Sequence, residues 1–188
     1  YKEEARIYRK LTSSTQAFRE VHLDPHALHV AAVFAVLTRL AEGEEREADN
    51  AKKVRLYAGE DVEGVSQSQS EIEKLRAKNP DEGLAGVSPR FVINALSNAI
   101  IQSQAKSLTT MNELIALKDA IDSDVRIDGK KKRKWIDFLV TVRKDFYNRW
   151  VKEDVHRALF ASFEDEAQQL LDKYLDEVEA SLDHREVT

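Results

Sequence analysis

Cysteine is absent from the 188 residues, and glycine (6) and proline (3) are scarce. Without cysteine there is no disulfide scaffold and no thiolate zinc site, a usage that fits a reducing cytoplasm. So few turn formers disfavour a turn-dense all-β fold and point to helices. Long apolar runs are missing too. The longest, Val30 to Leu37, has eight residues, against the roughly 20 that a membrane-crossing helix needs. The opening Tyr1-Lys2-Glu3-Glu4 carries no secretory leader pattern. A formal charge of −5 argues against bulk electrostatic binding to nucleic acid. Catalytic signatures are lacking as well: no G-x-x-x-x-G-K-[ST] loop, no kinase glycine loop, H-R-D or D-F-G, no G-x-S-x-G and no H-E-x-x-H. What is present, 42% hydrophobic and 34% charged residues, suffices for a packed core and excludes generic disorder. The expectation is a soluble, cytoplasmic, all-α chain forming one ordinary domain or two small ones.

Helical periodicity runs through most of the chain. Ile7, Tyr8 and Leu11 share one face of a helix over residues 2–12. Asp24-Pro25 reads as a cap followed by a first helical position, where proline's missing N–H costs nothing. The helix it starts, residues 25–41, is apolar around most of its circumference, which predicts burial on most sides. Glu44 to Asp49 reads as a solvated loop or frayed turn, and Val54 to Val65, with two glycines, as irregular chain or a short hairpin. Ile72 and Leu75 suggest a brief helix ending near Asn79-Pro80. Ser88-Pro89-Arg90 is the sharpest local signal: Ser88 caps, Pro89 opens a helix, and Phe91, Ile93, Leu96, Ile100 and Ile101 supply its buried side. Another helix is predicted over residues 110–123, with Leu114, Ile115, Leu117 and Ile121, and Asp128-Gly129 breaks the chain after it. Beyond the break, apolar residues recur at helical spacing from Trp135 to Leu159 and from Ala167 to Leu182. Ser162-Phe163-Glu164-Asp165 between them resembles a capping arrangement, so a helical hairpin is expected.

Charge segregates along that hairpin. Residues 130–157 hold ten Lys/Arg against four Asp/Glu, and residues 158–188 two against nine. Complementary solvated faces of one hairpin account for this. The run Lys130-Lys131-Lys132-Arg133-Lys134 reads either as a phosphate or acidic-partner contact or, lacking interleaved aromatics, as a solvated helix start. His22, Asp24, His26 and His29 could be set around a metal, but Asp24 is already explained as a cap.

Arg90 carries the most chemical information. A cation in the first turn of a helix opposes the macrodipole at a cost of a few tenths of a kcal/mol, and a bound anion reverses that sign. A helix start with an adjacent guanidinium is a ready phosphate site. The competing reading is an ion pair between Arg90 and a nearby carboxylate, Asp81 or Glu82.

Three stretches, residues 21–28, residues 54–60 and Asp81-Glu82-Gly83-Leu84-Ala85-Gly86-Val87-Ser88-Pro89-Arg90-Phe91-Val92-Ile93-Asn94, together resemble the bacterial PrkA family. The resemblance extends to Lys144-Asp145-Phe146-Tyr147 and Tyr174-Leu175-Asp176. Members of that family are described as serine protein kinases with an AAA+ ATPase module. The resemblance implies an internal piece of a longer protein, beginning after its nucleotide-binding core. Residues 1–127 would be an AAA+ lid-like helical domain and residues 128–188 a helical hairpin extension. Arg90, with Ser88 and Pro89, would act as a sensor-2-like contact to ATP phosphates, while Mg²⁺ ligands and the P-loop would lie outside this chain. No residue of this chain is implied as catalytic, and on its own it is expected to be inactive. The implied partners are the N-terminal AAA+ core of the same protein, further copies of the chain and an unidentified protein substrate. The alternative is a non-catalytic protein-interaction module of a larger AAA+ protein.

Overall fold

The computed structural model describes residues 1–40, 47–60, 62, 72–73, 77, 80, 82–103 and 106–183. Among them the fold is all-α, with seven α-helices and two strands of two residues each. In chain order these are α1 (Lys2–Ser14), β1 (His22–Leu23), α2 (Ala27–Arg39), α3 (Glu47–Tyr57), α4 (Pro89–Ser103), β2 (Ser107–Leu108), α5 (Thr110–Ser123), α6 (Gly129–Thr141) and α7 (Asn148–Asp183). No helix among the described residues is long and apolar enough to cross a membrane.

The chain divides into two compact units, residues 1–147 and 148–188. In the first, α2 is the axis. Its run from Val30 to Ala35 is entirely inaccessible to solvent, because α1, α3, α5 and α6 pack around it. An apolar circumference is stable only when neighbours cover every side. α6 passes into a π-helical turn, Val142–Tyr147, whose Val142 and Phe146 are fully buried. β1 and β2 pair in parallel, His22 opposite Ser107 and Leu23 opposite Leu108, so the entries to α2 and α5 are tied together. The expected division fell after residue 127, whereas the compact units part after Tyr147, with α6 packed on α2 and α5 in the first unit.

Side-chain caps open three of the seven helices, α4, α5 and α6. Thr109 Oγ1 accepts from the Asn112 amide at 3.2 Å to open α5, and an Asp128 carboxylate oxygen accepts from the Lys130 amide at 3.0 Å to open α6. Asp24 and Pro25, expected as cap and first helical position, instead precede α2, which begins at Ala27 after His26; an Asp24 carboxylate oxygen accepts from the His26 amide at 2.9 Å. Three further expectations are corrected. Residues 47–49 are not solvated loop or frayed turn, nor residues 54–57 irregular chain or hairpin; both belong to α3, whose Ala51, Val54 and Leu56 face the core. Ile101 and Ile115, expected to be buried, are more than half exposed. The hairpin turn at Ser162–Asp165 does not form, because α7 is one helix of 36 residues. A capping sequence starts a helix only where the preceding chain is not already helical. No glycine or proline occurs between 148 and 183 to interrupt it. The side-by-side charge arrangement expected of a hairpin falls with the turn. The brief helix expected near Ile72 and Leu75 lies largely outside the described residues.

Candidate functional site

The segment leading into α4 is held from three directions. Val87 lies across the end of α2: its amide donates to Thr38 Oγ1 at 2.9 Å. Its carbonyl accepts from Arg39 Nε at 2.9 Å and Nη2 at 2.7 Å. The rest of the Arg39 fork closes on Glu4 of α1, with Nη1 to Oε2 at 2.9 Å and Nη2 to Oε1 at 2.7 Å. At the other end, Glu82 is engaged by Lys53 and by the Tyr57 hydroxyl of α3, the latter at 3.1 Å. The Gly83 amide donates to the Arg39 carbonyl at 3.0 Å. Two glycine-permitted bends, Gly83 and Gly86, allow this route, and Gly86, at φ +109°, is the tighter of them against α2.

Burial alone would push the Glu4 carboxyl up, but the Arg39 hydrogen bonds and charge outweigh it and hold it below its ordinary value. The Arg39–Glu4 pair is largely shielded, with 20% and 11% of the two side chains exposed. A planar fork meeting two carboxylate oxygens and one carbonyl cannot be reproduced by a single ammonium. Arg39→Lys therefore keeps the charge and loses the geometry, at an expected cost of about 1–2 kcal/mol by urea denaturation. No change in the unfolding midpoint would show that the fork does not hold the segment.

That clamp delivers Ser88, Pro89 and Arg90 to the start of α4. Ser88 Oγ accepts from the Phe91 amide at 3.3 Å, as the capping pattern predicts. Since Pro89 has no N–H and the Phe91 amide is taken, the first turn is poorer in free donors than a bare helix start. Any anion there would be gripped mainly by the guanidinium. Arg90 is exposed, and among the described residues neither an ion pair nor a hydrogen bond engages it. Glu82, one of its two candidate partners, is occupied with Lys53 and Tyr57, and Asp81 lies outside the described residues.

The other sequence candidates take structural places. His26 sets its ring edge-on to Tyr147 and His29 to Tyr1, while Asp24 serves the backbone of α2. No group of three or more metal-ligating His, Cys, Asp or Glu residues occurs among the described residues. The basic run opens α6: Lys132 Nζ donates to the Asp122 carbonyl at 2.6 Å, and Lys134 lies over the Phe138 ring.

Sequence reasoning missed Arg39 and Glu4, the clamp, and also Glu113. Glu113 is fully buried on α5 with no hydrogen-bond partner for either carboxylate oxygen among the described residues. Burial first, and then the charge of Asp24, push its carboxyl well above the usual range. Thr110 Oγ1 is also buried without a partner among the described residues, whereas the buried Tyr8 hydroxyl faces the Glu4 carboxylate. A signal was available for Glu113, since it lies four residues before Leu117 and eight before Ile121, on the apolar face.

A family model described as "PrkA serine protein kinase C-terminal domain" matches residues 51–188. The chain belongs to the PrkA family. A curated relative from Bacillus subtilis (strain 168), named "ATP-dependent protease PrkA", is 38% identical over 178 residues. The alignment covers 95% of this chain and 28% of that relative, so the chain spans less than a third of its length. No solved structure matches the chain. The PrkA family region takes in Ser88, Pro89, Arg90 and Glu113, whereas Glu4 and Arg39, which hold the α4 entrance, precede it.

Proposed function

We propose that this chain is the nucleotide-responsive helical region of a longer ATP-dependent PrkA protein, with Arg90 reaching the terminal phosphates of ATP held by the rest of that protein. The observation that carries this reading is the state of Arg90. It stands exposed and unengaged among the described residues, on a helix entrance clamped through Val87. A guanidinium left open on a braced helix start, where its charge opposes the macrodipole, fits an anionic ligand better than a structural role. Ser88 and Pro89 contribute by capping and fixing the turn that carries Arg90.

The reaction that ATP drives is the less specific part of the proposal. The family description speaks of a serine protein kinase, and the Bacillus relative's name of an ATP-dependent protease. Nucleotide use is common to both. The P-loop and the Mg²⁺ ligands are assigned to the remainder of the protein, because this sequence holds no such motif. The lid reading adds that ATP binding closes this region over the nucleotide.

The test is ATP affinity and hydrolysis in the full-length protein, which does not depend on whether a hydroxyl or a peptide bond is the final target. Arg90→Ala is expected to lower ATP turnover about 10- to 100-fold, with Arg90→Lys in between. Unchanged affinity and turnover in Arg90→Ala would return this residue to the solvated surface.

A further inference from the structure

A cavity of about 490 Å³ lies between the end of α1 and the entrance to α2. Phe18, Leu23 and Leu28 give it an apolar wall, with Phe18 and Leu28 buried. Arg9 of α1 and Arg19, in the chain between α1 and β1, line it as well. Among the described residues neither arginine side chain makes an ion pair or a hydrogen bond. Arg6, Arg39 and Arg55, by contrast, are each paired with a carboxylate. Glu20 follows Arg19 in the chain, but no ion pair joins them.

The rest of the lining leaves those two charges uncompensated. Asp24 is its one carboxylate, and both oxygens serve the backbone, accepting from the His26 amide at 2.9 Å and the Thr110 amide at 3.5 Å. The Thr12 and Ser13 hydroxyls direct their protons to the Arg9 and Lys10 carbonyls, at 3.1 and 2.8 Å. The side-chain donors left for a ligand are therefore the two guanidinium groups. Like charges facing one cavity with apolar walls concentrate a positive field in it. That field reaches the fold: after burial, the Arg9 charge is the next cause lowering the proton affinity of His29 on α2. An anion in the cavity would relieve the repulsion. A carboxylate has two oxygens, which one guanidinium fork fills. A phosphate monoester has three, with a charge of about −1.5 to −2 at pH 7, enough for both arginines. The volume falls within the roughly 300–1,000 Å³ of small-molecule sites, and the apolar wall suits a body carried by the phosphate.

We infer that this cavity binds a small phosphate monoester with an apolar body, the phosphate held between Arg9 and Arg19 and the body against Phe18, Leu23 and Leu28. The inference is independent of the nucleotide reading of Arg90.

Phenyl phosphate is the probe, titrated into the whole 188-residue chain at neutral pH and followed by calorimetry and by amide NMR shifts. Saturable binding is expected, with the shifts centred on residues 9–28. Inorganic phosphate, which lacks the ring, should bind about tenfold more weakly, and benzoate, with one oxygen and one charge fewer, weaker again than phenyl phosphate by a similar factor. Arg9→Gln and Arg19→Gln should each weaken phenyl phosphate about 5- to 20-fold. Both side chains are exposed, so neither change touches the core. Arg133→Gln removes the same charge from the exposed side of α6 and should leave the affinity within about twofold. Absence of saturable binding overturns the inference. Equal losses in all three variants overturn it as well, because bulk charge attraction would then suffice. Shifts centred on Arg90 would put the probe at the start of α4 instead, and benzoate binding as tightly as phenyl phosphate would remove the phosphate from the assignment.

Discussion

Gly86→Ala should be the most damaging glycine substitution among the described residues, lowering stability by about 3–4 kcal/mol. Two independent costs add at this position. The backbone there adopts φ +109°, a region that L side chains rarely enter. A Cβ built on it would also stand 2.6 Å from the Thr38 carbonyl oxygen and 2.8 Å from Arg39 Cγ. The first obstacle is backbone of the buried axial helix, which cannot rotate aside. Relief must come from lifting the segment off α2, and that breaks the Val87 bonds to Thr38 and Arg39. Gly83 is the internal control. It has φ +92° but nothing within 4 Å of its Cβ position, so Gly83→Ala carries only the conformational cost of about 1–2 kcal/mol. Thermal unfolding of the two variants separates these contributions, with Gly86→Ala expected to lose about 6–16 °C. Equal losses in both would mean that the close approach to α2 contributes nothing. On the proposed reading of Arg90 as an ATP-phosphate contact, Gly86→Ala should also weaken ATP binding by the full-length protein, because it unseats the start of α4.

How much of this was legible beforehand follows from the range of each interaction. Helix starts written within four residues, Ser88-Pro89, Thr109 and Asp128, were readable or nearly so, because a cap and its amide are sequence neighbours. The all-α class and the buried α2 followed from periodicity in the same way. Ser162–Asp165 shows where local reading fails: the same residue types that cap a helix also continue one when nothing interrupts the preceding turns. α3 was missed because its buried side is narrow, Ala51, Val54 and Leu56 beside long charged side chains. Arg39 and Glu4 are 35 residues apart, and Arg39 and Val87 are 48 apart. No local pattern marks such a clamp, although an arginine ending an apolar helix is where one would look. That Arg90 meets no partner among the described residues was likewise invisible, since it requires Lys53 and Tyr57 to have taken Glu82.

Glu113→Gln should change how stability depends on pH rather than merely its level. The carboxyl is wholly buried, and burial, followed by the Asp24 charge, raises its proton affinity well above that of a solvated glutamate. Between the ordinary value of about 4.3 and the raised folded value, the native state holds a proton that the unfolded chain has released. Stability contributed by the neutral acid is therefore complete below about pH 4 and falls as pH rises, with a limiting slope of about 1.4 kcal/mol per pH unit for one proton. Glutamine matches the shape of the neutral acid and has no proton to lose. Urea denaturation of wild type and variant at pH 4, 6 and 8 should give similar stabilities at pH 4. At pH 8 the variant should lead by about 1–3 kcal/mol. Groups with the opposite pH dependence, such as Glu4, whose proton affinity is lowered beside Arg39, are common to both proteins and cancel in the difference. A constant offset across the three pH values would mean that Glu113 does not titrate between folded and unfolded states in this range. A destabilised variant at pH 8 would mean that it is ionised in the fold and paired with a cation.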